Sequence, residues 1–536
     1  MTLLFAGLLV TMLLASLNQT VLSTALPTVI GELDGVDHMT WVITAYILAS
    51  TIMMPVYGRI SDLLGRRPVL ITAIVLFIGG SVVGALAGNI EWLIAGRAIQ
   101  GLGGGGLMIL SQAAIADVVP ARDRGKYMGI MGAVFALSSV AGPLLGGWLT
   151  EGPGWRWVFW INVPLGVLAV LAAAAFLKLP KPVRTGRLEI DYLGIALVAA
   201  ATTVIVLICT WGGGTYEWTS PQISWLIVAA VVLSALFVLV EIRATDPVIP
   251  MSFFRNRNFT LTTIAALLIG VAMFGVISYM PTYIQMVTGV DATVAGLLMI
   301  PMMGGLLVAS IGSGQVVSRT GRYKLFPVVG AAVMGVGLIL LSTMEVGTET
   351  WVMCTYLAVM GIGIGLAQQL LTLIVQNSFP GSVVGTATAS NNYFRQVGAT
   401  VGSAIVGSIF ASRLTALLTD RLSARGGSEA DGGTNSLTPA VVNGLPDAIR
   451  VPIVESYNEA LLPIFLFLVP LAVIAVIVLV FVKETKLAAN VEPEIPAEAL
   501  AEGRLTPMGL TGESVDGEPV DEGVPTAEPD RRPDDA

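Results

Sequence analysis

Charged residues are scarce in this chain: Asp, Glu, Lys and Arg fill 12% of its 536 positions, about half the share found in a soluble domain. Histidine occurs once, as His38, and cysteine twice, as Cys209 and Cys354. Both cysteines fall inside apolar runs, which excludes a disulfide framework and a Cys/His metal cluster and leaves them as packing residues. No Gly-x-x-x-x-Gly-Lys-Ser/Thr sequence is present, so a machine driven directly by ATP is excluded. The apolar runs carry no carboxylate pair and no nucleophile triad, and His38 stands in a loop beside Asp37. A membrane-embedded transferase is therefore only a distant alternative. No metal, cofactor or nucleic-acid partner is expected.

What fills the chain instead is apolar: 55% of its residues are hydrophobic and its mean hydropathy is +0.82. Crossing the hydrocarbon of a bilayer takes about 20 apolar residues. Fourteen such runs start near Thr2, Trp41, Pro68, Trp92, Lys126, Trp157, Ile190, Gln222, Phe259, Thr293, Leu325, Trp351, Thr386 and Leu461. This is the pattern of an all-α membrane protein, with its least distinct boundaries at 280–300 and 376–395. The first run lacks a basic n-region and an A-x-A-like site, so it is expected to be retained as a span.

Net charge must be divided before it is read. From Leu487 onward thirteen acidic residues and three arginines give −10, which leaves +2 on the rest to reach the total of −8. That Pro-, Gly- and acid-rich tail, 487–536, buries too little to offset ordering entropy and is expected to be disordered. The basic residues flank alternate loops: Arg59, Arg66 and Arg67; Arg122, Arg124 and Lys126; Lys178, Lys181, Arg184 and Arg187; Arg243, Arg255 and Arg257; Arg319, Arg322 and Lys324; Lys483 and Lys486. Glu32, Asp34, Asp37, Glu91, Glu151, Glu217, Asp291, Glu345 and Glu349 mark the other loops. The positive-inside rule makes the basic side cytoplasmic and places both termini there.

One turn stands out. Gly58, Asp62, Gly65, Arg66 and Arg67 lie between the apolar runs 41–57 and 69–87. A loop that only sets topology needs the arginines alone; helices that approach and separate also need small residues and a carboxylate that can dock on a partner. Gly314, Gly321 and Arg322 repeat the offsets of Gly58, Gly65 and Arg66, with Ser318 where Asp62 stands. The pair resembles the inner-loop signature of the major facilitator superfamily, whose members are built from repeated bundles.

Three further stretches carry the same resemblance. Arg97 stands inside an apolar run, with Gly101, Met108 and Gln112 on its helical face, and an intramembrane arginine needs a partner or a wet cavity. The superfamily's fourth-helix motif, which it resembles, uses such an arginine in coupling. Gly142-Pro143-Leu144-Leu145-Gly146-Gly147 looks like the motif of the superfamily's exporters, and Trp155 to Gly166 is similar to the fourteen-span drug:proton antiporters. So are Leu26-Pro27, the stretch from Gln376-Asn377 to Phe394-Arg395-Gln396-Val397-Gly398, and Glu455 to Tyr457. The aromatic word at 155–160 is expected to anchor an outer interface.

The resemblance implies the major facilitator fold: six-helix bundles at 1–180 and 259–486, two inserted transmembrane helices at 181–258, and an outer loop at 416–459, expected to be a solvated connector. It implies a secondary active efflux transporter of the cytoplasmic membrane. Its cargo would be lipophilic drugs or other small amphiphiles, exchanged for protons by a monomer alternating its access; the alternative is a dedicated exporter of an endogenous metabolite or lipid.

Asn18 departs from the family's customary aspartate in the first span, and no carboxylate lies near the middle of any run. Coupling is therefore expected at Asp62 or Asp117, with Arg97, Arg122 or Arg124 tuning proton affinity. Asp62 has a second expected use, docking on the positive end of the thirteenth helix. Candidate cavity residues are Met108, Gln112, Phe135, Met273, Phe274, Tyr279, Tyr283 and Met286, with Gln368, Thr372 and Gln376 on one helical stripe and Asn391 and Arg395 on another. Without a central carboxylate, a compact dication is disfavoured, and neutral, zwitterionic, weakly anionic or charge-delocalised cargo is expected.

Overall fold

The computed structural model describes residues 2–33, 38–177, 190–213, 215–423 and 439–487. Seven helices form the first half: α1 (Thr2–Glu32), α2 (Met39–Leu64), α3 (Arg66–Ala85), α4 (Ile90–Val118), α5 (Ala121–Glu151), α6 (Trp157–Trp160) and α7 (Asn162–Phe176). Then come α8 (Tyr192–Trp211) and α9 (Pro221–Glu241). The second half holds α10 (Arg257–Ile277), α11 (Met280–Thr288), α12 (Ala292–Leu298), α13 (Ile300–Thr320), α14 (Leu325–Ser342), α15 (Thr350–Gln376), α16 (Val384–Ser423), α17 (Pro439–Asn443) and α18 (Asp447–Val480). Merged across short breaks, they give fourteen stretches long and apolar enough to cross a membrane.

Local sequence explains where these helices begin and end. Asn89, Asp191, Ser220, Asn256 and Asp291 accept amide hydrogens at the first turns of α4, α8, α9, α10 and α12, satisfying donors that a helix leaves unpaired. Gly65 after α2 and Gly321 after α13 both have positive φ, 91° and 71°. The repeated turn glycine is thus required by the backbone at both copies. Pro281 and Pro301 stand in the first turns of α11 and α13, which accounts for the indistinct boundaries read at 280–300.

Two findings change the expected boundaries. The loop 416–459 is helical at both ends, because α16 runs to Ser423 and α18 starts at Asp447, fourteen residues before Leu461. Arg421 ties these arms together through Glu455 and Glu459, at 3.6 and 2.6 Å. The centre of that loop, the tail beyond Leu487, and Asp34, Asp37, Lys178, Lys181, Arg184, Arg187 and Glu189 lie outside the described residues. The aromatic word splits between buried and exposed rings. Trp155 is buried, and its indole donates to Glu32 at 2.7 Å while Arg156 pairs with the same carboxylate at 2.6 Å. Trp157 is the exposed ring.

Apolar side chains from α1 to α7 form two clusters, and those from α10 to α18 form a third that takes in Ala121 and Ala136 of α5. In lipid, helix association rests on close packing more than on burial from water. A Cβ on Gly58 would overlap Ala389 of α16, and one on Gly314 would overlap the carbonyl of Gly125 in α5. The halves therefore meet backbone to backbone along α2/α16 and α5/α13. Gly142 and Gly146, by contrast, admit Thr20 and Thr24 of α1 within the first half, and Gly147 has nothing near it.

The inserted helices sit across the α2/α16 seam. Thr202 hydrogen-bonds Tyr393 at 2.8 Å, Trp211 stacks edgewise on Trp41 at 6.4 Å, Trp218 donates to Ser408, and Arg59 pairs with Asp246 at 2.5 Å. Gly58→Val should separate the halves near Asp62. Spin labels on α2 and α16 at that end should report a longer distance than in the wild-type chain, and an unchanged distance would contradict the packing described here.

Candidate functional site

Asp62 is the centre of the contact between the halves. Its carboxylate accepts the amides of Gly385 at 3.2 Å and Thr386 at 2.6 Å, together with the Thr386 hydroxyl. Those amides open α16, whose unpaired N–H groups and dipole favour a negative charge. Arg66 pairs with Asp62 from one turn on, with Asp117 at 3.0 Å, and donates to Ser61 at 2.6 Å. The Asp62 and Arg66 side chains are 1% and 5% exposed, so this pairing is screened little by water. Gly385 is required here, because any Cβ would collide with Arg66.

The second half answers with opposite polarity. Arg122, at the start of α5, donates to the carbonyls of Ser318 at 3.1 Å and Arg319 at 3.0 Å, in the last turn of α13. A cation there complements the negative helix end. Ser318, which replaces the aspartate, donates to the Arg122 carbonyl at 3.0 Å. Arg322 is exposed and takes no part in such a cluster. Both ties lie at the face carrying Arg59, Arg66, Arg67, Arg122 and Arg319, here named the basic face, and they hold the halves together there.

Deeper in the seam lies a buried polar layer. Gln112 of α4 accepts from Asn392 of α16 at 3.1 Å, and Gln376 of α15 donates to the Gln112 carbonyl at 3.2 Å. Gln112 Nε2, Gln376 Oε1, Asn392 Oδ1 and Thr388 Oγ1 are buried without partners. Orphaned groups of this kind carry a desolvation cost of about 1–3 kcal/mol each, which separation of the halves would relieve.

Two arginines lie far inside their helices. Arg97, seven residues into α4, is 2% exposed and donates to Asn18 at 2.5 Å, Gln100 at 2.5 Å and the Val42 carbonyl at 3.2 Å, with the Tyr46 ring 4.2 Å from its guanidinium. None of these partners is a carboxylate. Gln100 in turn donates to Ser81 at 2.6 Å, and Gly101 lets α4 approach Tyr46 and Ala49. Arg395, eleven residues into α16, is partly exposed and has no hydrogen bond, ion pair or ring contact.

Of the arginines expected to act on the acids, Arg97 and Arg122 bind elsewhere and Arg124 stays near Asp117. Twenty residues of α4 separate Arg97 from Asp117, about 30 Å of helix, so Arg97 cannot tune either aspartate at contact range. Arg124 caps the end of α4, donating to Val119 at 2.9 Å and Ala116 at 2.6 Å, and also attracts Asp117 through space, whereas Arg122 binds carbonyls. Arg66, read only as part of the hinge, is the counter-ion of both acids. Its role, and those of Thr386 and Ser61, were not read from the sequence, although Thr386 was placed at the start of a span.

The cavity candidates do not converge. Met273, Tyr283 and Met286 are buried in the apolar cluster of the second half, and Phe135 and Phe274 pack against it. Tyr279 donates to the Ser403 carbonyl at 2.9 Å, and Met108 packs within the first half. Asn391 donates to Thr263 at 3.3 Å, and Gln368 and Thr372 are buried. Of that set, Gln112 and Gln376 join the inter-half layer.

Residues 8–403 match the Major Facilitator Superfamily. An uncharacterized MFS-type transporter of Mycobacterium tuberculosis is 40% identical over 519 residues, which cover 95% of this chain and 73% of that protein. The multidrug transporter protein MdtP of Bacillus subtilis is 37% identical over 421 residues, 78% of this chain and 77% of MdtP. Of solved structures, the human organic anion transporter MFSD10 has a TM-score of 0.58 at 14% identity, covering 89% of this chain and 98% of its own. The proton:xylose symporter XylE has a TM-score of 0.56 at 16% identity, covering 90% and 96%. At such identities the likeness speaks for the fold.

The two ties should differ in strength. Arg66→Ala leaves two acids beside each other without their cation and should cost roughly 3–5 kcal/mol. Arg122→Ala removes an exposed contact and should cost under about 1 kcal/mol. Thermal unfolding in detergent should place the apparent Tm of the first variant well below that of the second; equal values would contradict this ranking.

Proposed function

Given that the chain belongs to the major facilitator superfamily, we propose that this transporter is a secondary active exporter of lipophilic drugs or other small amphiphiles, working by alternating access in exchange for protons. The basic face is cytoplasmic by the positive-inside rule, so both termini lie in the cytoplasm and the membrane is the cytoplasmic one. The described state is then closed to the cytoplasm. The chain works as a monomer, and substrate, proton and lipid are its partners. A relative named as an efflux pump, dotC of Dothistroma septosporum, supports export as the direction, and MdtP, named as a multidrug transporter, supports the cargo class.

The observation that carries this reading is that a titratable group, Asp62, makes the inter-half contact at the start of α16. A protonated Asp62 loses the charge that Arg66 and the α16 amides stabilise, so proton binding weakens the tie and favours opening toward the cytoplasm. Asn18 cannot titrate, which leaves the Asp62–Arg66–Asp117 cluster as the coupling site. The layer of Gln112, Asn392, Gln376 and Thr388 provides polar groups between that cluster and the middle of the membrane.

In proteoliposomes with an imposed pH gradient, Asp62→Asn should reduce gradient-driven substrate movement to the level of protein-free vesicles while substrate exchange at equal pH persists. Full gradient-driven movement in this variant would remove Asp62 from the coupling role. Movement driven by a sodium gradient alone would overturn the choice of ion.

A further inference from the structure

Charge within the spans is lopsided. Among the described residues, carboxylates in the spanning helices stand within three positions of a helix end, apart from Glu455 and Glu459 in the outer arm of α18. Glu459 is twenty-one residues from Val480, about 32 Å of helix, which puts it at the edge of a hydrocarbon layer about 30 Å thick. The middle of the protein thus holds Arg97 and Arg395 and no acid to balance them.

The two cations are not equivalent. Arg97 is enclosed and donates three of its N–H groups, to Asn18, Gln100 and the Val42 carbonyl, with the Tyr46 ring against its guanidinium. Arg395 keeps its guanidinium unpaired and part of its surface open, about 16 Å along α16 from its start. Its neighbours on α16 locate it: Asn391 reaches Thr263 of α10, Asn392 reaches Gln112 of α4, and Gly398 packs against Leu267 of α10. The residue therefore sits where helices of the two halves converge. A guanidinium held in a low-dielectric region without a partner costs several kcal/mol, and an anion that supplies paired oxygens offsets this cost.

We propose that Arg395 is the binding point for an anionic head group, a carboxylate, phosphate or sulfonate, on an amphiphilic substrate, and that Arg97 adds positive potential without touching it. This rests on the exporter reading for its occupant and narrows the cargo to amphiphiles with an acidic head. Five N–H donors in a planar fork suit such a head. The unbalanced positive charge also disfavours cationic cargo at the same point.

The test compares two probes that differ in one group: dansylaminoundecanoate and its primary carboxamide, titrated by fluorescence into the full-length protein in phosphatidylcholine nanodiscs. The carboxylate should bind roughly ten- to hundredfold more tightly, the range expected for hydrogen bonds to a charged partner. Arg395→Gln should bring carboxylate affinity down to that of the amide, and Arg395→Lys should restore part of the difference. Competition by added phosphatidylglycerol in the wild-type protein but not in Arg395→Gln would assign the same site to an anionic lipid head group. Equal affinities in the wild-type protein, or a preference that survives Arg395→Gln, would overturn the proposal. Because binding is read without a gradient, a protein that shows the preference but moves nothing would refute the exporter reading alone.

Discussion

The arrangement depends on one buried carboxylate meeting the open end of a helix from the other half. Asp62 takes both amides at the start of α16 while Arg66 balances it and reaches Asp117. A free aspartate in that position would be expensive, and free helix amides would be unsatisfied; each solves the other's problem. The glycines nearby make the meeting possible, since Gly58 and Gly385 remove the atoms that would hold the helices apart.

The repeat shows how one turn serves two purposes. Gly65 and Gly321 both take positive φ where a helix ends and the chain turns. Beyond that the copies diverge: the first presents a carboxylate to a helix start, and the second presents carbonyls at a helix end to Arg122. Opposite helix poles receive opposite charges. The first tie is buried and the second is exposed, so salt screens the second far more than the first.

Hydropathy made the spans legible because a membrane helix must satisfy its own backbone and face lipid with apolar side chains. The indistinct boundaries fell where prolines break the helices near Pro281 and Pro301. The end of α16 and the start of α18 were missed because those arms carry more polar residues than a span, although they pair through Arg421 and bury Leu414, Leu418, Ile453 and Val454. Within the candidate site, Asp62 could be read from its charge and spacing, and its partner from the helix pole it suits. The partners of Arg97 could not, because Asn18 and Tyr46 come from distant turns whose register is set by glycine packing. The apolar candidates were harder to place for a similar reason: composition does not distinguish Met273 in a core from a side chain lining a passage.

The two additional helices have a mechanical implication. They bind the first half through Trp41 and Arg59 and the second through Tyr393 and Ser408, and so act as a brace along one flank. If the halves rock, a structure braced on one flank opens like a book held at its spine. The α5/α13 flank is then the fore-edge, where lipid-dissolved molecules would find the wider entrance.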